Sequence, residues 1–132
     1  MEIQKKTEGE ITLYTLTNAS GASVTLSTLG AGIVAVNVPD ANGKMDDVCL
    51  GYANPADYLA DGPCAGKVPG RYANRIARGH FTLDGQEYSL AINNGPNALH
   101  GGPTGFMNRI WDAEEIESGV RFTYRAADGE EG

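Results

Sequence analysis

Cysteine and histidine are scarce in this chain, with two of each in 132 residues. Cys49 lies in the apolar run DDVCLGY and reads as a small buried hydrophobe. Cys64 follows Gly62 and Pro63 in a loop. The pair has no metal-motif spacing, so no metal site is expected. One disulfide stays open, but without a secretion signal the cysteines read as reduced thiols of a cytoplasmic protein. The opening MEIQKKTEGE lacks the apolar segment and small-residue cleavage site of a signal peptide. No run approaches the roughly 18 apolar residues of a membrane-spanning helix. Basic residues are also few: Lys plus Arg number 10 against 17 Asp plus Glu, a net charge of −7. Such a chain repels phosphate backbones and anionic surfaces, so neither nucleic acid nor membrane is an expected partner. There is no Walker loop, no serine nucleophile elbow and no His-x-x-x-His pair. Gly30, Ala31 and Gly32 have no helix behind them and so make no dinucleotide loop. The absence of a long 3.6-residue apolar period excludes a helical bundle.

What the chain has is glycine, 18 residues of it, and six prolines, punctuating short runs rich in Val, Ile, Thr, Leu and Tyr. This is the pattern of an all-β protein. EITLYTLTN alternates, with Ile11, Leu13, Thr15 and Thr17 on one face and Thr12, Tyr14 and Leu16 on the other. ASVTLSTLG alternates too. IVAVNVP follows and ends at Pro39, which cannot donate to a ladder. Asn42 and Gly43 then mark a hairpin, with DVCLGY as the returning strand. NPADYLADG, residues 54–62, is the best helix candidate, with Asn54 able to cap and Pro55 suited to the first turn. GHFTL and EYSLAI are the arms of a second hairpin turning at Asp84 and Gly85. RIWDAEEIESGVRFTYRA gives two further strands around Ser118 and Gly119. A chain of this length is one domain or a piece of one, and a hydrophobic fraction of 41% can supply a core. By composition, the ending AADGEEG reads as a solvated acidic tail.

The chemistry-bearing residues lie between strands, in GRYANRIARG, NNGPNALHGGPTGF and NRIW. Asn74 and Arg75 bring amide and guanidinium donors that suit a neutral, hydroxyl-rich ligand or an oxygen gaining negative charge. The alternative for Arg75 is a surface ion pair. His100 is the one residue of these stretches that titrates near neutrality, and it can transfer a proton. Gly101 and Gly102 after it allow backbone angles through which a ligand can approach closely. Phe106 and Trp111 offer flat apolar faces of the kind a sugar ring packs against. The alternative for His100 is a structural turn. His80 alternates with Phe81 inside a strand and reads as solvent-facing. Adjacent acids such as Asp46 and Asp47, or Glu114 and Glu115, point to opposite faces of a strand and make poor cooperating pairs.

The stretch GRYANRIARGHFTLDGQEYSLAINNGPNALHGGPTGF closely resembles the aldose 1-epimerase family. The likeness extends upstream through LGAGIVAVNVPDANGKMDDVCLGY and downstream through NRIWDAE and DGEEG, so it covers the chain from about residue 10 to residue 132. Ala-Asn-Arg-Ile and Leu-His-Gly-Gly separated by a hairpin form its specific signature. The resemblance implies a large antiparallel β-sandwich that interconverts the α and β anomers of free aldohexoses such as galactose and glucose, without a cofactor. It assigns Asn74 and Arg75 to sugar binding, and makes His100 a catalytic donor beside the ring oxygen. No role carries over to His80. Family members are more than twice as long. Their principal acid histidine, their glutamate base and an aspartate that grips the sugar follow DGEEG. By resemblance, then, residues 1–132 form the N-terminal portion of one sandwich domain, truncated in mid-fold, and weak or inactive alone. Such a chain is expected to self-associate or to need a complementary chain. Two other readings stand beside it: a non-catalytic carbohydrate-binding module, and a subunit that completes its site with a partner.

Overall fold

The computed structural model describes residues 1–60, 62 and 64–132. Its first third is an antiparallel meander of five strands: β1 (Glu2–Glu8), β2 (Ile11–Thr17), β3 (Ser23–Ser27), β4 (Gly32–Pro39) and β5 (Met45–Asp47), hydrogen-bonded in chain order. Three two-stranded ladders follow. β6 (Arg75–Ile76) pairs with β9 (Ala98–Leu99), β7 (His80–Leu83) with β8 (Gln86–Ser89), and β10 (Asp112–Ile116) with β11 (Gly119–Thr123). Every ladder is antiparallel, as the alternating runs require. Among the described residues no helix is long and apolar enough to cross a membrane.

The period-2 alternation of β2 places side chains on both faces of the sheet, and both faces are covered. Ile11 and Leu13 point to one side, where Ile11 packs with Leu29 and Tyr58, flanked by Val34 and Ala65. Tyr14 and Leu16 point to the other and are also buried. There Phe122 of β11 meets the Tyr14 ring edge-on at 6.3 Å, laying the last hairpin over the sheet as a second layer. The segment before β10 is stitched to the sheet by backbone bonds. The Trp111 N–H donates to the Thr28 carbonyl at 2.8 Å and the Gly30 N–H to the Arg109 carbonyl at 2.8 Å, around a bridge between Leu29 and Ile110.

The hairpin at Asp84 and Gly85 has the expected two-residue turn, with φ of 50° and 78°. Both values are positive, as the type I′ turn that matches strand twist demands. The last hairpin turns one residue earlier than expected, with Gly119 already paired to Ile116. The turn after β4 is built by Asp40 more than by Asn42 and Gly43. Its carboxylate accepts from the N–H groups of Asn42 (2.8 Å) and Lys44 (2.9 Å).

Other expectations need correction. The returning strand stops at Asp47 instead of running through Tyr52, because the Asp47 carboxylate takes the Val36 N–H at 2.9 Å and the Cys49 N–H at 2.9 Å in place of ladder carbonyls. Cys49 is half-buried, not a core residue. The helix candidate is 3-10, not α, over Pro55–Ala60, and the Asn54 amide donates to Asp57 at 3.2 Å. Asp61 and Pro63 lie outside the described residues.

Leu29 is fully buried, and it joins the sheet to the overlying segment. Leu29→Ala is expected to cost about 2–5 kcal/mol in a denaturant titration, the usual range for a buried leucine. An unchanged midpoint would show that the layers are not held there.

Candidate active site

The ladder between β6 and β9 has only two residue pairs, Arg75 with Leu99 and Ile76 with Ala98. One position beyond it, the register sets Asn74 against His100. The His100 N–H donates to the Asn74 carbonyl at 3.0 Å, and the Asn74 N–H donates to Nδ1 of the His100 ring at 3.0 Å. The two tetrapeptides singled out in the sequence are thus neighbours through backbone pairing. Because Nδ1 accepts, the neutral ring carries its proton on Nε2, and that nitrogen can donate. Asn74 is exposed and His100 half-buried.

Asparagines hold this short ladder in place. The Asn93 side chain brackets Leu99 like a third strand, accepting its N–H at 2.7 Å and donating to its carbonyl at 2.9 Å. Arg75 Nε donates to the Asn94 side-chain amide oxygen at 2.9 Å. Among the described residues Arg75 therefore leans on an amide, not on a carboxylate, and it lies on an exposed surface. The Asn74 side-chain oxygen accepts the Arg75 N–H at 2.8 Å.

The glycines after His100 serve a different end from the one the sequence indicated. A Cβ on Gly101 would collide with the Gly70 carbonyl, and one on Gly102 with the Glu131 carboxylate. Their φ values, 89° and 85°, also suit glycine alone. The close approach is made by the chain itself. Phe106 and Trp111 are likewise not free faces. They pack edge-on at 5.7 Å, each also meets Tyr124, and Trp111 Nε1 donates to the Phe106 carbonyl at 3.0 Å.

The ending is not a solvated tail. Glu130 accepts from Arg109 Nη2 at 2.8 Å, from the Tyr124 hydroxyl at 2.5 Å and from the Ala127 N–H at 3.1 Å. Glu131 accepts from the Thr104 N–H at 2.6 Å and from its hydroxyl. A cleft of about 690 Å³ is lined by Arg71, Tyr72, Tyr88 and the turn of residues 126–132. That volume is in the range of small-molecule sites, although Asn74, Arg75 and His100 do not line it. His80 stands exposed on β7, 3.5 Å from the Ser89 hydroxyl and 3.9 Å from the Glu87 carboxylate. Asn93, Asn94, Thr104 and Arg109 lie in the stretches that the sequence singles out but carry no individual role there, and Glu130 and Glu131 read only as solvated charge.

The fold is that of the antiparallel β-sandwich proteins typified by solved aldose epimerases. A crystal structure of a GalM/aldose epimerase homologue from C. elegans superposes with a TM-score of 0.82 at 36% identity, over 89% of this chain and 37% of that one. A galactose 1-epimerase from Lactobacillus acidophilus follows with a TM-score of 0.70 at 26% identity, over 89% and 35%. The chain belongs to the aldose 1-epimerase family, whose sequence profile matches residues 12–132. Galactose mutarotase of Sus scrofa is 52% identical over 103 residues, 78% of this chain and 30% of the relative. Aldose 1-epimerase of Escherichia coli is 38% identical over 121 residues, 91% of this chain and 35% of the relative. The chain thus spans about a third of the length of the curated relatives it matches.

The Tyr124 hydroxyl bond, with help from the Ala127 N–H and Arg109, holds the Glu130 carboxyl below its usual range despite opposing desolvation. The same bond holds the Tyr124 hydroxyl above its own. A lowered folded-state value stabilises the fold above the ordinary glutamate range, about 4.3, and that contribution is lost as pH falls through it and below. Acid titration followed by near-ultraviolet circular dichroism should show stability falling from about pH 5 downward. Tyr124→Phe should show a shallower fall. Equal slopes would mean that this bond does not contribute.

Proposed function

We propose that this chain carries the hydrogen-bond-donor side of a mutarotase site for free aldohexoses such as galactose and glucose. In this reading Asn74 and Arg75 bind sugar hydroxyls, and His100 presents Nε2–H to the ring oxygen. The observation that supports it is the pair of bonds between Asn74 and His100, which commits Nδ1 as an acceptor and leaves Nε2 to donate. The chemistry is proton transfer without a cofactor. A base removes the anomeric hydroxyl proton while the ring oxygen is protonated. The C1–O5 bond breaks to give the open-chain aldehyde, C1–C2 rotates, and the ring closes on the other face. Charge builds on the ring oxygen as it leaves, so a donor fixed there beforehand lowers the barrier. The principal acid and base come, by family resemblance, from the portion of the fold that follows DGEEG. General acid or base help is worth about 10²–10⁴-fold per group, so residues 1–132 alone are weak or inactive.

Polarimetry of freshly dissolved α-galactose, with the folded chain beside His100→Ala, is expected to show no rate above buffer for either. Saturation-transfer NMR is expected to show galactose contact that His100→Ala removes. A catalysed rate abolished by His100→Ala would overturn the inactivity of the chain alone. A folded chain with no galactose contact would overturn the sugar site.

The subunit reading has its own support in exposed apolar side chains: Leu50 at 91%, Val48 at 67%, Leu59 at 61% and Leu83 at 57%. Such surface is what a complementary chain or a second copy would cover. Light scattering after size exclusion should therefore give a mass above that of the monomer. A monodisperse monomer with cooperative unfolding would contradict this.

A further inference from the structure

The two adjacent acids near the end of the chain face different partners, and only one of them belongs to the lock with Arg109 and Tyr124. We propose that the other, Glu131, is a positioning residue for the sugar site. Its carboxylate clamps residues 102–104 and so holds His100 in the conformation that presents Nε2. The inference rests on the role given to His100 above.

Three consecutive residues at the site have positive φ: His100 at 54°, Gly101 at 89° and Gly102 at 85°. Glycine tolerates this, but histidine does so only where its surroundings over-determine the backbone. On the upstream side the constraint is supplied by Asn74 and by the Gly70 N–H, which donates to the His100 carbonyl at 3.2 Å. On the downstream side it comes from Glu131. Both the N–H of Thr104, at 2.6 Å, and its hydroxyl donate to the same oxygen, Oε1. The other oxygen, Oε2, fills the space where a Cβ of Gly102 would stand. The carboxylate therefore caps the loop directly after His100, and outward movement of residues 102–104 would break both bonds.

Glu131 is itself held by its neighbour. Glu130 anchors the turn to Arg109, Tyr124 and the Ala127 N–H. Arg109 is in turn fixed to the main sheet through its carbonyl, which takes the Gly30 N–H at 2.8 Å. A continuous path of bonds thus runs from the sheet through Glu130 and Glu131 to the His100 loop. Because both Thr104 bonds end on one oxygen, the clamp needs an acceptor there and not a charge. Glutamine can supply that acceptor and alanine cannot.

The experiment is long-range ¹⁵N NMR of the imidazoles in the full 132-residue chain, with galactose titrations alongside. His80, the only other histidine, serves as internal control for a general loss of structure. In Glu131→Ala the His100 nitrogens should move from the fixed Nε2–H pattern toward an averaged one while those of His80 stay in place. Galactose affinity should fall about ten-fold, the scale of one misplaced hydrogen-bond donor. Glu131→Gln should restore both. Unchanged His100 signals in Glu131→Ala would overturn the proposal, as would Glu131→Gln behaving like alanine. If Glu131→Ala does not fold, Thr104→Val, which deletes one of the two bonds, is read in the same way. Wild type that fails to bind galactose, with ring signals still responding as expected, would sink the sugar reading and leave the clamp standing.

Discussion

Two hydrogen bonds between Asn74 and His100 are the constraint on which the candidate site depends. They extend a ladder only two residues long, far short of what holds together unaided in water. Each bond contributes only about 1 kcal/mol net, so the pairing survives because other groups over-specify it. Asn93 acts as a surrogate strand for Leu99, Asn94 steadies Arg75, and Gly70 bonds the His100 carbonyl. The same pairing fixes chemistry as well as shape. By engaging Nδ1 with a main-chain donor it selects the tautomer, and an imidazole able in principle to give or take a proton becomes a donor at Nε2.

A second consequence is that the site is made from chain packed against chain. Gly70 lies where a Gly101 side chain would be, accepts the Phe106 N–H at 2.9 Å, and thereby welds the segment before β6 to the loop after β9. Phe106 then seats Trp111 and Tyr124, and Tyr124 engages Glu130. The acidic turn thus closes a ring of contacts that begins and ends at the His100 loop. Rigidity of this kind is what a polar site needs, since donors that must reorganise as charge develops lose most of their effect.

The strands and the tight hairpin at Asp84 and Gly85 were legible because their signals are local: alternation, a turn dipeptide, a proline that ends a ladder. Asn74, Arg75 and His100 were legible as residue types in a recognisable pattern. Their juxtaposition was not, because it depends on a register formed between residues 26 positions apart. The departures around the ladders and turns share one cause. Asp40, Asp47 and Asn93 put side-chain atoms where backbone partners would otherwise stand. Nothing in the local sequence announces such a substitution. Glu130 and Glu131 read as solvated charge because composition counts acids without seeing Arg109, Tyr124 or Thr104. Gly101 and Gly102 were read toward a ligand because sequence shows that a side chain is excluded but not what excludes it.

The distribution of donors and acceptors bears on how the family's chemistry is divided along the chain. Asn74 and Arg75 are exposed donors, and the bond to Nδ1 leaves Nε2 of the half-buried His100 as a donor. The carboxylates of Glu130 and Glu131, which hold the turn against the His100 loop, already accept from Arg109, Tyr124, Ala127 and Thr104. Glu130 is held ionised by these bonds, not poised to exchange a proton, and a base for the anomeric hydroxyl would have to give up partners it already has. If the donors act on a sugar as proposed, the proton acceptor must come from outside this constellation. That fits a chain spanning about a third of the length of its relatives. It also gives the two acids a reason to be adjacent: one is bonded toward the sheet through Arg109 and the other toward the His100 loop through Thr104, so the pair ties the two together.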